Sequence, residues 1–403
     1  MIFCICFLVL LTIPNILIDL LQINHVKKFS QKPAVILPRN DYALSASYSL
    51  ASLRFSIFSH IFEAGIFICW AWFGLSMWQA FLAEEAALGF ILFVLGFLFI
   101  TSLLQLPLNA YKQLVLDKRY GFSNTTWSIF LTDTLKSYAL MGIFGFIVLW
   151  ILLMVMDYTY WWALGFGIVF GFVVLMNVLY PTLIAPIFNT FTPLSDEALS
   201  SKIADLMGKA GFKASGVFVM DASRRDGRLN AYFGGLGSTK RVVLFDTLLE
   251  KVSSEGLLAI LAHELGHFKH KDVLFNLFLS ACVLFALFFI AGNLPSILFS
   301  ALGLENNHAT SLTILLLIAP IVSFWVMPFI GYFSRKAEYR ADSYSVSLTN
   351  ARVLKEALIR LVNENKTFPY SHPAYIFFHY THPPLLERLC ALDKTPQCKS
   401  NKP

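Results

Sequence analysis

Trp161-Trp-Ala-Leu-Gly-Phe-Gly-Ile-Val-Phe-Gly-Phe-Val-Val-Leu-Met-Asn-Val-Leu-Tyr-Pro-Thr-Leu183 runs from end to end without a charged side chain. A helix rises about 1.5 Å per residue, and a hydrocarbon core about 30 Å thick needs about 20 residues. This run is long enough. Six more stretches meet the same test: Ile2–Leu21, Ala64–Leu82, Ala86–Leu106, Tyr138–Met156, Val273–Leu304 and Ser311–Phe333. The first carries Asp19 near its end but has neither a basic leading segment nor a small-residue cleavage site, so it is expected to stay as an anchor. Composition agrees with lipid as the solvent. The chain is 57% hydrophobic and 14% charged, with 39 Phe, against about 25% charged in a typical soluble domain.

Basic residues alternate from one connecting segment to the next. Lys27, Lys28, Lys32, Arg39 and Arg54 follow the first span; Glu84 and Glu85 alone occupy the turn after the second. Lys112, Lys118, Arg119 and Lys136 follow the third, and only Asp157 the fourth. The segment 184–272 is rich in Lys and Arg, 305–310 has none, and the tail after Phe333 is basic again. The positive-inside bias then places the N-terminus outside and the basic segments and C-terminus in the cytoplasm. The net charge of +6 is membrane topology. No basic run alternates with aromatics on one face, so no nucleic-acid partner is expected.

Four parts follow: 1–183 with five spans, 184–272 as a cytoplasmic segment, 273–333 with two spans, and 334–403 as a cytoplasmic tail. Within 184–272 the pattern predicts a helix at Asp196–Ala210 and strands at Gly216–Met220, Leu229–Phe233 and Arg241–Phe245, with Gly-rich segments such as Gly234–Gly237 between. Six cysteines (Cys4, Cys6, Cys69, Cys282, Cys390 and Cys398) show no CxxC or regular spacing. Neither a disulfide framework nor a thiolate metal site is expected.

Ser253-Ser-Glu-Gly-Leu-Leu-Ala-Ile-Leu-Ala-His-Glu-Leu-Gly-His267 reads as a helix with a serine N-cap and Glu255 in its first turn. His263 and His267 then project from one face, one turn apart, and can share a metal ion. Glu264 lies beside them, within reach of a water rather than of the ion. This is the H-E-x-x-H arrangement of zinc peptidases. A catalytic zinc needs a third protein ligand and an open position. Glu338 and Asp342, four apart beyond the last span, supply a third ligand in Glu338 and, in Asp342, a carboxylate to orient a ligating histidine. Without the upstream motif, that segment reads rather as a solvated charged helix leaving the membrane, with Arg335, Lys336 and Arg340 as flanking residues.

The chain resembles the zinc-dependent CAAX prenyl endopeptidases, the a-factor-converting enzymes. The resemblance rests on Asn230-Ala-Tyr-Phe-Gly-Gly, Arg241-Val-Val-Leu-Phe-Asp-Thr-Leu-Leu, His263-Glu-Leu-Gly-His267, Glu338-Tyr-Arg-Ala-Asp342 and His382-Pro-Pro-Leu-Leu-Glu-Arg388, in that order. It implies a mainly α fold: seven transmembrane helices around a water-filled chamber, with a small cytoplasmic α+β zinc-metalloprotease domain. It implies one Zn2+ per chain on His263, His267 and Glu338, with Glu264 as general base. Asn230, Ala231 and Tyr232 match an edge strand that pairs with substrate, and His382 and Arg388 match residues that hold substrate and stabilise the tetrahedral intermediate. The implied partners are the bilayer and a peptide or membrane-tethered protein, prenylated or not. Compact loops and the absence of a retention signal favour a bacterial plasma membrane, with the endoplasmic reticulum as the eukaryotic counterpart.

Rival readings are weaker on particular grounds. An intramembrane protease of the site-two type would need the motif inside a span, but Gly256–Leu265 is short and Lys269, Lys271 and Asp272 follow it. A heat-shock membrane protease acting in quality control has fewer spans. A membrane binding or transport protein with a non-hydrolytic zinc would favour a closed set of four ligands. His270 is expected on a solvated flank, and His372 and His379 carry little weight. His60 and Glu63 fit either a chamber lining or an interface.

Overall fold

The computed structural model describes residues 1–82, 87–212, 214–234 and 240–393. The acidic turn with Glu84 and Glu85, the glycines after Gly234 and Cys398 lie outside the described residues. Among the described residues seven helices are long and apolar enough to cross a membrane. Five come first: α1 (Ile2–Ser30), α2 (Arg39–Phe81), α3 (Leu88–Arg119), α4 (Trp127–Leu153) and α5 (Trp161–Phe188). After α6 (Glu197–Lys209) and α7 (Ser254–Lys269) come the last two, α8 (Asp272–Gly292) and α9 (His308–Leu348). Three helices close the chain: α10 (Ala351–Glu364), α11 (Pro373–His379) and α12 (Leu385–Asp393).

Apolar side chains lie on both surfaces of this bundle. Phe67, Trp70, Phe97 and Phe288 pack inside, whereas Trp72, Phe81 and Phe329 are exposed. Outward aromatics on this scale would drive association in water; around a membrane helix they are its contact with lipid.

Three spans differ clearly from their expected limits. The stretch Val273–Leu304 is not one helix: α8 ends at Gly292 and a short helix, Ser296–Ala301, follows. Pro295 lacks an N–H and bars helical backbone at the residue before it, so the helix stops there. The next helix, α9, runs without interruption from His308 to Leu348. Glu338 and Asp342 therefore ride on the last membrane helix itself. The α2 helix likewise begins well before Ala64, at Arg39, because its Ser- and His-bearing half faces an internal cavity instead of lipid.

The small domain is built on a four-stranded sheet in the order β1-β2-β4-β3: β1 (Phe191–Pro193), β2 (Val217–Met220), β3 (Ala231–Gly234) and β4 (Arg241–Phe245). The strand β1 was not expected; three residues are too few for a visible alternation. The β2–β4 pair is parallel and β3 runs antiparallel to β4 at the edge of the sheet. Helix α7 covers one face. Leu257, Leu261 and Leu265, spaced at i, i+4, i+8, are buried with Leu244, Leu248 and Ile203. Each buried leucine contributes about 1.5–3 kcal/mol. This stripe fixes the rotation of α7 and turns His263 and His267 the other way, with Glu264 at the margin of the stripe.

Candidate active site

Ser253 caps α7 by accepting a hydrogen bond from the Gly256 amide at 3.2 Å. Helix α7 packs along α9, and the approach is close at one point. A Cβ on Gly266 would stand 2.8 Å from the Ala341 Cα, so only glycine permits this contact. The buried Ser345 hydroxyl adds a 2.7 Å hydrogen bond to the Ala259 carbonyl across the same interface. These contacts bring α9 near enough for Glu338 to meet both histidines.

His263, His267 and Glu338 each offer a ligand atom within 4.8 Å of the others. His263 Nε2 and His267 Nε2 are 3.2 Å apart. Glu338 Oε1 lies 3.2 Å from His267 Nε2, and Glu338 Oε2 lies 3.4 Å from His263 Nε2. Ligand atoms held at about 2.0–2.2 Å in a tetrahedron stand about 3.3–3.6 Å from one another. The three distances, 3.2, 3.2 and 3.4 Å, lie at or just below that figure, with one Glu338 oxygen turned to each histidine. The buried Glu338 Oε2 also makes no hydrogen bond among the described residues, and a bound cation would satisfy it.

The ligand side chains are held from behind. Asp342 Oδ1 lies 2.9 Å from His263 Nδ1, which leaves Nε2 for the metal. Asp272 Oδ2 does the same for His267 Nδ1 at 3.0 Å. Sequence reasoning assigned Asp272 only to a span boundary. Lys271, in a left-handed conformation at φ 59°, turns the chain sharply between α7 and α8 and brings Asp272 back against the helix it follows. The available signal was a carboxylate five residues after the second histidine. Arg340 on α9 fixes Asp272 in turn at 2.7 Å.

Glu264 sits on the wall of a cavity of about 490 Å³, together with Asn230, Ala231, His382 and Arg388. Burial pushes its carboxyl above the ordinary range, opposed by the neighbouring His263 and His267. His382 is largely exposed, with its Nδ1 2.8 Å from Glu338 Oε1. Arg388 is buried between carboxylates: Nε and Nη2 donate to the two Asp342 oxygens at 2.9 and 2.6 Å, and Nη1 lies 3.1 Å from Glu338 Oε2. Tyr232 is on β3 but its ring packs toward Phe245 and does not line this cavity. His379 does line it. His270 stays at the helix end near Tyr344, and His372 caps α11. His60 and Glu63 line a second, internal cavity.

Comparisons with known proteins agree with this geometry. Residues 193–396 match peptidase family M48, and residues 22–190 match the CAAX prenyl protease N-terminal domain of five membrane helices. The chain is 30% identical to the "CAAX prenyl protease 1 homolog" of Oryza sativa subsp. japonica, covering 98% of both chains. It is 32% identical to CAAX prenyl protease 1 of Saccharomyces cerevisiae, over 89% of this chain and 86% of the yeast protein. The crystal structure of S. mikatae Ste24p superposes with a TM-score of 0.83 at 28% identity, covering 96% of this chain and 98% of that one. With a possible metal site between two packed helices, a membrane bundle in front of it and relatives matched over nearly their whole length, the chain belongs to the CAAX prenyl protease 1 family of M48 membrane metallopeptidases.

Proposed function

We propose that this protein is a zinc endopeptidase that cleaves membrane-tethered peptides, prenylated ones included, from the cytoplasmic face. The three candidate ligand atoms within 4.8 Å of one another, beside a cavity lined by Glu264 and the start of β3, carry this reading. His263, His267 and Glu338 would hold the ion, with Asp342 and Asp272 orienting the two imidazoles. A zinc ion held there would supply a water acidified to a pKa of about 7 and a Lewis acid for the peptide carbonyl. Glu264 takes the proton from the attacking water and returns it to the leaving amine. His382 is placed to donate a hydrogen bond to the developing oxyanion.

The strand β3 positions the substrate. Asn230 O accepts from the Phe245 amide, so by the alternation of an antiparallel ladder Ala231 and Phe233 present backbone groups to the open edge. A peptide added there gains main-chain hydrogen bonds that ignore its side chains. By the same alternation Tyr232 turns its backbone groups to β4, and its ring, packed toward Phe245, anchors the strand. The basic segments support a cytoplasmic site by the positive-inside bias, and the compact loops favour a bacterial plasma membrane.

Purified protein is expected to cut a farnesylated CAAX peptide after the modified cysteine, and its unprenylated counterpart with lower kcat/KM. Absence of cleavage of both, with zinc bound, would move a binding or transport role ahead.

Asp272→Asn is expected to weaken zinc about 10–100-fold and to change kcat little once zinc is saturating. Chelator competition, followed by turnover with added zinc, checks this. Unchanged affinity would leave Asp272 as a structural contact of the α7–α8 turn.

A further inference from the structure

The second cavity, of about 700 Å³, lies beside the first and shares Asn365, Phe368 and Tyr380 with it. Two chain segments cross together from one cavity to the other. Leu229 lines the first and Arg228 the second; Asn365 lines both, and Lys366 the second. The crossing is pinned by the Leu229 amide donating to Asn365 Oδ1 at 2.9 Å and Asn365 Nδ2 donating to the Leu229 carbonyl at 3.4 Å. Arg228 and Lys366 thus arrive side by side, 4.3 and 4.8 Å from the centre of the same Phe122 ring. Lys112 on α3 lines the cavity with them.

Two of these three cations, the lysines, lack an ion-pair partner among the described residues. Arg228 pairs with Asp226 at 2.7 Å and with Asp117 at 3.7 Å, and donates to the Tyr48 hydroxyl at 2.9 Å. Lys366 Nζ donates to the Tyr120 carbonyl, and among the described residues neither Lys366 nor Lys112 has a carboxylate within ion-pair distance. Glu63 is the single carboxylate on the cavity wall among the described residues. It faces His60 at 3.8 Å, and on α2 it lies about 22 Å beyond Tyr48 at 1.5 Å per residue. Lys366 also has φ +46°, a left-handed conformation that normally selects Gly or Asn. A lysine held there against backbone preference draws notice to its side chain. Burial and the nearby Lys251 and Arg228 hold its ammonium below the usual lysine range, a cost that an arriving anion would relieve.

We infer that the Arg228, Lys366 and Lys112 end of this cavity is the subsite for the free α-carboxylate of the substrate, and that it sets the direction in which the peptide is read. The inference rests on the peptidase reading above. β3 runs from Ala231 to Gly234, so a peptide laid antiparallel along it points its C-terminal end past Asn230 toward Arg228. A parallel peptide would bring an N-terminal ammonium into the same three cations, which repel it. Extended chain advances about 3.3 Å per residue. From Ala231 beside Glu264 back to Arg228 is a reach of about three residues, which places the scissile bond about three residues from the substrate's end.

The test compares the C-terminal acid and C-terminal amide of one farnesylated peptide as substrates. Wild type is expected to prefer the acid about tenfold in kcat/KM, mostly through KM, the effect of one charge-assisted contact. Lys366→Asn, which accepts left-handed backbone, and Lys112→Gln should each remove much of that preference while amide cleavage stays unchanged. Equal use of acid and amide by wild type, or proportionate loss on both in the variants, would overturn the inference. A second arm measures binding of the two fluorescently labelled peptides to zinc-loaded Glu264→Gln protein, independent of hydrolysis. Acid-selective, Lys366-dependent binding without any wild-type cleavage would sustain the subsite and refute the peptidase reading. Cleavage with no selectivity in either arm would do the reverse.

Discussion

The Glu264→Gln protein is expected to keep one zinc per chain while peptide cleavage slows about 10⁴-fold, the upper end of what a positioned acid–base contributes. Glutamine has nearly the volume of glutamate and the same place on α7, between Leu265 on the packed stripe and His263 on the ligand face. Glu264 is not one of the three groups whose atoms converge, so the cage should survive its neutralisation. What is lost is a base that can receive a proton from water and deliver it to the departing nitrogen. Measuring zinc by elemental analysis beside kcat separates the alternatives. Loss of activity together with zinc would make Glu264 part of the cage. Unchanged function would instead fit a binding or transport protein whose metal does no chemistry.

Much of the site was legible because its parts are local in sequence. His263 and His267 are bound to share a face wherever a helix forms, and the apolar stripe with Ser253 ensures that one does. Glu338 and Asp342 follow the same periodicity on a second helix. Their meeting depends on Gly266 against Ala341, a contact between residues far apart in sequence and invisible to any periodicity. Asp272 was missed for a related reason. Its role depends on the left-handed turn at Lys271, and nothing in a lysine announces that conformation. The spans were legible as apolar length, but their ends were not. Helix continues wherever backbone geometry allows, into polar sequence in α2 and through Glu338 in α9, and it stops at Pro295 in the midst of apolar sequence. The cavities follow from this: α2 and α3 present serines, amides and Lys112 inward because their polar ends remain helical.

Arg388 shows where local reading and structure part most clearly. Its resemblance-based role was to hold substrate and stabilise charge on it, yet the residue is 9% exposed, donates to both Asp342 oxygens and lies at ion-pair distance from Glu338. Its Nη2 also lies 3.5 Å from His263 Nδ1. We therefore assign it as a positioning residue: it balances two buried carboxylates and fixes the rotamers on which the His263–Glu338 edge of the cage depends. Arg388→Met should then destabilise the substrate-free protein by about 3–5 kcal/mol, the usual effect of removing one partner from a buried ion pair. It should also lower zinc affinity, since Glu338 and Asp342 would repel or protonate. Arg388→Lys restores charge but not the two-pronged geometry toward Asp342, so partial recovery of both quantities is expected. Thermal unfolding and chelator competition without substrate decide the matter. A residue acting only on substrate would leave both unchanged and alter KM or kcat alone, whereas the contacts in place require that the free enzyme register the loss.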